Sequence, residues 1–599
     1  MLQRTQYLLK TYLLTMLIFF IAKVLFMFYN SNQDFSGYDI INVIWHGLSL
    51  DLSTSLYIII IPFLVCAVSV WIGKAKVLRI ILSVYYALVG VAMVLTFVAD
   101  TSLYEFWLFK LDSSCLQYLE TPTEAMASVS TGYIIIRVIV ILLGAFIVWW
   151  AYTHPRWNIS PSRHRITETI ILLLCIPLII IGIRGGLGES TTNIGQVYYS
   201  QNQFLNHSAV NPLFNFLDSF DKADADYHFM DDDECNQLID SLYNTQSIDC
   251  DTLLNTKTPN IIVILLEGCG GEFTEIGGRT DITPNLNKLA KEGIYFTNCY
   301  GNTWRTDRGT VCALSGYPSF PTMSVMKIPS KSRSLPNIAR TLQQQRGYNT
   351  SYLYGGDINF TNMRSYLISG GFENLTWMKD YSAEEQKTAQ WGVRDDITFK
   401  TLYQMTTKAE QPFLIGFSTL SSHVPWDVPI HHFDDEIINS FYYLDQCVGD
   451  FINKLRKSAT WKNTLVIMLP DHGIPYNGID ETSPSLNHIP MIWVGGAIKG
   501  PKRIEQVCNQ TDLPATLLGQ LGINHDEFSF SRDVLSSSYT MPFATHTYDD
   551  GFSMVDSTSF VCYDFISNKV IAENGKKSER LLKYGKAILQ AASKDFQER

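Results

Sequence analysis

Five long apolar runs crowd the first 183 residues, and they constrain the architecture more than any other feature. A helix needs roughly 20 mostly apolar residues to cross the hydrocarbon of a bilayer. The runs are Tyr12–Phe28, Thr54–Ile72, Val77–Ala99, Tyr133–Ala151 and Thr169–Ile183. Together they predict a transmembrane helical bundle over residues 1–184. The first run has no clear small-residue cleavage site and more spans follow, so it reads as a span and not as a signal peptide. Lys74, Lys76 and Arg79 fall between the second and third runs, and Arg156, Arg163 and Arg165 between the fourth and fifth. Arg4 and Lys10 precede the first run, whereas the loops 30–53 and 100–132 are poor in Lys and Arg. Basic loops face the cytoplasm. An odd number of spans then delivers everything after Arg184 to the outside, which predicts a multi-pass protein of the cell inner (cytoplasmic) membrane. Lys23 and Asp51 are charges within or beside the spans. Snorkelling to the interface is the plain reading, and pairing across the bundle the sharper one.

The remaining residues read as a globular half. The formal charge of −11 and the lack of a basic stripe exclude nucleic acid as a partner. The eleven cysteines include no C-x-x-C pair, which excludes a zinc ribbon or a thioredoxin-like motif. Cys66 and Cys175 sit in apolar runs as packing residues. Eight cysteines lie in the globular half (Cys235, Cys250, Cys269, Cys299, Cys312, Cys447, Cys508 and Cys562) and are available to pair if it is exported, with nothing to choose among them. Residues 185–258 show no sustained period and read as an extracytoplasmic linker. The acidic run Asp231–Asp233 within it reads as a solvated helix end or loop in preference to a metal site.

From Pro259 short apolar runs alternate with helical stretches. Ile261–Leu266 is a β-branched run of the kind buried on both faces of a sheet, and Glu267 follows it. Thr350–Tyr354 is followed by Gly355, Gly356 and Asp357; Phe413–Phe417 by Ser421, Ser422 and His423; Leu465–Leu469 by Asp471, His472 and Gly473. Amphipathic segments Thr283–Glu292, Ser334–Gln345 and Phe441–Arg456 intervene. This alternation predicts a largely parallel, doubly wound α/β sheet, with ligands bound beyond the carboxyl ends of its strands. Glu267, Asp357, His423, Asp471 and His472 would then gather on one edge. Carboxylates with imidazole suit zinc or manganese better than a soft copper site. A strand terminus or cap is the bland reading of Glu267, and a simple turn that of Asp471–Gly473.

Group transfer at such a site needs an attacking oxygen. The segment CYGNTWRTDRGTVCALSG (299–316) runs from turn residues into a short helix, and Thr306 stands where that helix starts. There backbone N–H groups favour an anion. Thr303 and Thr310 compete for the role, and a helix-start threonine is often only a cap. His488 in Asn487–Pro490 is a further candidate for the site. His431 and His432 read as an exposed loop.

The order of Glu267 at a strand end, Thr306 at a helix entry, His423 in SSHVPW and Asp471-His472-Gly473 resembles the alkaline phosphatase superfamily. TDLPATLL (511–518) resembles the helix after the last metal motif of sulfatase-like domains. With five preceding spans, nearly the whole chain is similar to the lipoteichoic acid synthase branch of phosphoglycerol transferases. The Asp-His-Gly motif and Trp391-Gly392-Val393-Arg394-Asp395 are the most specific parts. The resemblance implies that Glu267, Thr306, Asp471 and His472 bind one divalent metal, commonly manganese, with zinc or magnesium as alternatives. It implies Thr306 as nucleophile, since its distance to Leu314-Ser315-Gly316 fits the family pattern better than that of Thr303. It implies His423 as active-site histidine, and Trp391 and Arg394 as holders of the phosphoglycerol. Gly355-Gly356-Asp357 departs from the family's His-Gly-Asn and leaves head-group specificity open.

The implied architecture is the bundle, the linker, a sulfatase-like catalytic domain over 259–535 and a C-terminal subdomain over 536–599. In that subdomain the aromatics of Tyr539–Phe565 predict a small sheet and Leu581–Phe596 a terminal helix. The implied activity moves a phosphoglycerol from a membrane phospholipid, through a phospho-threonine, to an extracytoplasmic glycan, polymer or lipid acceptor. A phosphoethanolamine transferase, a membrane phosphodiesterase and a non-enzymatic receptor or scaffold remain rival readings. A sulfatase would need Cys or Ser followed by x-Pro-x-Arg, and nothing in 303–316 matches.

Overall fold

The computed structural model describes residues 2–31, 35–107, 110–113, 115–116, 131–154, 161–221, 226–243, 251–480 and 482–599. The chain divides into two compact units, Met1–Lys222 and Ala223–Arg599.

The first unit holds five helices long and apolar enough to cross a membrane: Gln3–Asn30, Gly37–Trp71, Ala75–Glu105, Gly132–Thr153 and Arg165–Arg184. Each contains one of the five apolar runs. The second helix starts at a capping box, in which Ser36 Oγ accepts from Asp39 N and the Asp39 carboxylate accepts from Ser36 N. Arg4 fastens the first helix to the fifth and second, donating to Glu168 Oε2 at 2.8 Å and to Ser69 Oγ at 2.9 Å. Lys23 does not snorkel. Its Nζ lies 2.7 Å from Asp51 Oδ2 and both side chains are buried. The other Asp51 oxygen accepts from Asn211 Nδ2 at 2.9 Å. Asn211 also caps the short helix Pro212–Asp218. Burying two charges is tolerable only when they are paired and their remaining sites are hydrogen-bonded, and here they are.

Among its described residues the stretch read as a linker contains three α-helices, Gln203–Ala209, Pro212–Asp218 and Asp232–Tyr243. Each of the first two is only seven residues long, too short to show a period. Asp232 and Asp233 open the third helix and are exposed, as expected of a solvated helix end.

The second unit is built on a nine-stranded sheet of order β4-β3-β5-β1-β6-β7-β2-β8, with β9 also paired to β2. The strands are β1 Asn260–Leu266, β2 Ile294–Tyr300, β3 Asn349–Tyr354, β4 Asn374–Trp377, β5 Phe413–Ser418, β6 Thr464–Pro470, β7 His488–Val494, β8 Lys502–Ile504 and β9 Cys508–Asn509. The four strands expected from sequence are contiguous in space (β3-β5-β1-β6) and mutually parallel. Beyond β6 the sheet is mixed, because β7 runs antiparallel to both β6 and β2. β1 explains its own composition. Ile261, Val263 and Leu265 enter the hydrophobic core on one face of the sheet, and Ile262, Ile264 and Leu266 that on the other. Each such side chain contributes roughly 1.5–3 kcal/mol on burial, and no polar residue interrupts the strand between Asn260 and its end.

A second, antiparallel sheet follows: β10 Ala544–Tyr548, β11 Gly551–Val555, β12 Phe560–Asp564 and β13 Lys569–Asn574. The helix Ser578–Glu598 covers it, burying Leu581, Ile588 and Phe596. This is the small sheet and terminal helix anticipated near the C-terminus.

Candidate active site

Because β1, β3, β5 and β6 are parallel, their carboxyl ends open on one edge, and the polar residue that ends each apolar run stands there. Glu267 follows β1. Its N–H donates to Thr419 Oγ1 at 2.9 Å, and its carbonyl accepts from Ser422 Oγ at 2.6 Å. Gly268 then turns the chain with φ of +62°, a conformation that favours glycine. Its N–H donates to Asp471 Oδ1 at 3.0 Å, as does the N–H of His472 at 2.9 Å. That leaves Asp471 Oδ2 for another partner. His472 uses Nδ1 to donate to Gly473 O at 2.9 Å, which presents a lone pair on Nε2.

Glu267, Asp471 and His472 each offer a ligand atom, all within 4.8 Å of one another, and all three residues are buried. His472 Nε2 lies 3.5 Å from Glu267 Oε1 and 3.7 Å from Asp471 Oδ2. Burial alone would lower the imidazole, but Asp471 and Glu267 outweigh it and push it up to about 10. Burial, reinforced by the charge of Glu267, pushes the Asp471 carboxyl up. For Glu267 the effect of burial is overcome by His472, and its carboxyl is held down. Two buried carboxylates thus crowd one imidazole, a surplus of negative charge that a cation bound at Nε2 and the carboxylate oxygens would neutralise. The oxygen and nitrogen donors fit a divalent ion such as manganese, zinc or magnesium.

Thr306 completes the cluster. It begins the helix Thr306–Ser315, and its Oγ1 donates to Glu267 Oε2 at 3.1 Å and lies 3.5 Å from His472 Nε2. The competing threonines point elsewhere. Thr310 Oγ1 donates to Thr306 O within the helix, and Thr303 is fully buried with no partner for its hydroxyl. The helix approaches the segment after β6 closely: a Cβ on Gly309 would lie 2.1 Å from Asp471 O. Glycine at this position lets the helix that begins at Thr306 pack on the backbone of Asp471.

The cluster lies at a cavity of about 760 Å³. Glu267, Thr306, His472, His423 and Trp391 line it, together with Arg305, Lys327, Trp304, Trp426 and Asp549. His423 Nδ1 contacts the carbonyl of Val424 at 2.8 Å, and Trp391 donates to that carbonyl at 2.7 Å while meeting the His423 ring edge-on. Four expected site residues do not line the cavity: Asp471, which lies against Glu267 and His472, and three that are held elsewhere. Arg394 pairs with Asp396 at 2.7 Å, and Tyr443 donates to the same Asp396 oxygen. Asp357 accepts from the backbone and side chain of Asn359 in the turn after β3. His488 stacks on Tyr300 and donates from Nε2 to Thr297 O at 2.8 Å, and burial lowers its imidazole. The last residue of the Trp-Gly-Val-Arg-Asp segment is positional: Asp395 accepts from the N–H groups of Leu420 and Ser421 and so anchors the loop carrying His423. Burial pushes its carboxyl up to about 6.

Other residues of the site carried no readable signal. Gln510 donates to both Pro470 O and Asp471 O at 2.8 Å, holding the end of β6. Asn302 ties the nucleophile loop to Asn509 and Thr545. Arg305 and Trp304 flank Thr306 within the segment already singled out, but an Arg and a Trp in a turn have no spacing to reveal them.

Residues 259–523 match the Sulfatase family model. The second unit carries a sulfatase-like domain. The chain is 27% identical over 314 residues to lipoteichoic acid synthase 2 of Bacillus subtilis (strain 168), covering 47% of this chain and 48% of that protein. It is 23% identical over 312 residues to phosphoglycerol transferase I of Xanthomonas campestris pv. campestris (strain B100), covering 47% and 43%. The chain thus spans about half the length of these relatives. Among solved structures, an alkaline phosphatase superfamily protein from Vibrio parahaemolyticus superimposes with a TM-score of 0.54 at 26% identity, over 62% of this chain and 98% of that one. The lipoteichoic acid synthase LtaP of Listeria monocytogenes shares the fold with a TM-score of 0.50 at 19% identity, over 60% and 98%. These bear out the resemblance drawn from the motifs. The sulfatase-like domain here places Thr306 beside the Glu267, Asp471 and His472 cluster, and no Cys or Ser followed by x-Pro-x-Arg occurs in 303–316.

Proposed function

We propose that this chain is a membrane phosphotransferase that moves a phosphoglycerol, or a related phospho-head group, from a phospholipid to an extracytoplasmic acceptor through a covalent phospho-threonine. The observation that carries the reading is Thr306 Oγ1, 3.1 Å from Glu267 Oε2 and 3.5 Å from His472 Nε2, on the wall of a cavity large enough for a head group. The names of the relatives support the substrate class. The basic loops after the second and fourth spans support a catalytic domain outside the cytoplasm.

Glu267, Asp471, His472 and the Thr306 hydroxyl would hold one divalent cation, which would supply a lowered hydroxyl pKa and neutralisation of charge on the phosphoryl oxygens. Thr306 Oγ attacks phosphorus, and the bond from phosphorus to the diacylglycerol oxygen breaks. The helix start at Thr306 adds backbone N–H groups and a dipole that favour the anion. Arg305 and Lys327, on the cavity wall, balance the phosphate charge. An acceptor hydroxyl then attacks the phospho-threonine and expels Thr306 Oγ. His423 exchanges the protons, delivering one to the leaving diacylglycerol oxygen and removing one from the acceptor.

The test is to incubate the purified full chain with phosphatidylglycerol or phosphatidylethanolamine, each labelled in the head group, and to locate the label by peptide mapping. The reading predicts label on Thr306 from phosphatidylglycerol. Label from phosphatidylethanolamine alone would move the assignment to an ethanolamine transferase, and no label on Thr306 from either lipid would end it.

A further inference from the structure

The eight cysteines of the globular half were left without a pairing by the sequence, yet strand register brings two of them together. Cys299 in β2 and Cys508 in β9 are directly paired residues of a parallel ladder. Neighbouring strands lie about 4.8 Å apart, inside the Cα separation of about 4.4–6.8 Å that a disulfide spans. Partners in a parallel ladder project from the same face, and both residues are free thiols in this structure. Both side chains are fully buried. Among the described strand pairings this is the one that sets cysteine against cysteine.

We infer that Cys299 and Cys508 are a modification site, a dithiol that closes to a structural disulfide in the exported protein. The inference rests on the extracytoplasmic placement proposed above, because disulfides persist in oxidising compartments. The oxidant is a disulfide-bearing protein or small molecule. One cysteine thiolate attacks a sulfur of that disulfide and expels a thiolate, leaving a mixed disulfide. The second cysteine thiolate attacks the first cysteine's sulfur and releases the oxidant as its dithiol. Two electrons pass to the oxidant, and the two protons lost from the cysteines end on its thiols or in water. In the finished domain the adjacent Cys299 thiol, together with burial, pushes the Cys508 thiol well up, so closure belongs to folding, before the sheet edge is sealed.

The bridge has a local purpose. β9 is two residues long, and a strand that short is held by few backbone hydrogen bonds. Yet Asn509 donates to Tyr300 O at 2.8 Å and accepts from Asn302 in the loop before Thr306. Gln510, the next residue, holds the carbonyl of Asp471. A covalent link at Cys508 fixes the segment from which both the nucleophile loop and a metal ligand are positioned.

The experiment uses the full chain in bacterial membranes, denatured directly into an alkylating reagent and mapped by mass spectrometry before and after reduction. The expected result is a Cys299–Cys508 linked peptide in the unreduced sample and two alkylated cysteines after reduction, with Cys269, Cys312 and Cys447 alkylated throughout. Alkylation of both Cys299 and Cys508 without reduction overturns the inference. In C299S, Cys508 should be alkylated without reduction; a link from Cys508 to any other cysteine also overturns it. The map reads thiol state alone and the lipid-labelling assay reads chemistry alone, so a failure of one reading is distinguishable from a failure of the other.

Discussion

Gly309→Ala tests whether the separation between the nucleophile's helix and the metal-ligand strand sets the rate. The added Cβ would meet Asp471 O at 2.1 Å and the Asp471 carbonyl carbon at 2.8 Å, both of them backbone that cannot swing aside. To reach an ordinary contact the helix Thr306–Ser315 must retreat by about 1 Å, and a displacement of that size at a reacting group costs on the order of 100-fold in rate. Overpacking a buried contact destabilises by about 1–3 kcal/mol, so the domain should still fold. The assay is turnover of labelled phosphatidylglycerol by the full chain, with thermal unfolding as the control. We expect kcat to fall about 100-fold with KM for the lipid little changed. Turnover within about twofold of the parent in a folded variant would refute the argument, since the helix would then be free to shift without consequence.

Other perturbations read separate parts of the account. Asp471→Asn removes a charged ligand and should lower bound divalent metal more than tenfold by elemental analysis, with metal retained at parent level as the contrary result. Gln510→Ala strands two buried carbonyls and should cost about 1–3 kcal/mol in unfolding free energy, read as a lowered denaturation midpoint. Lys23→Met leaves Asp51 buried without its cation and should destabilise the detergent-solubilised chain by about 3–5 kcal/mol, whereas adding Asp51→Asn should recover part of the loss. Burial pushes the Glu272 carboxyl up from 4.5 to about 8, against the weaker opposing effect of nearby backbone N–H groups. Its contribution to stability is therefore fully present below pH 4.5 and is lost as pH rises through about 8. Glu272→Gln should flatten that part of the stability–pH curve, and an unchanged slope would show that Glu272 does not titrate there.

What the sequence made legible follows from what a linear pattern can encode. β1, β5 and β6 are buried along their whole length, so their apolar runs stand out, and the polar residues that follow each run lie at the sheet edge. Those runs lead to Glu267, His423, Asp471 and His472. β3 is only partly buried and mixes polar residues with apolar ones, as do β2, β8 and β9. The apolar β7 is broken by Pro490 and begins with His488, whose imidazole reads as chemistry although it packs on Tyr300. Arg394 and Asp357 were drawn in by motif adjacency, while the fold turns them toward Asp396 and Asn359. Lys23 and Asp51 were legible as a pair because intramembrane charges have few ways to be satisfied. Gln510 and Asn302 were not, because neutral amides that hold carbonyls across 40 to 243 residues of chain leave no periodic trace.

The most direct measurement is anomalous diffraction from crystals of the full chain grown with manganese. The account predicts a single peak bonded to Glu267, Thr306 Oγ, Asp471 and His472, each at about 2.0–2.3 Å. A peak outside this cluster, or a cation held by the three other residues with the Thr306 oxygen beyond bonding distance, would contradict it.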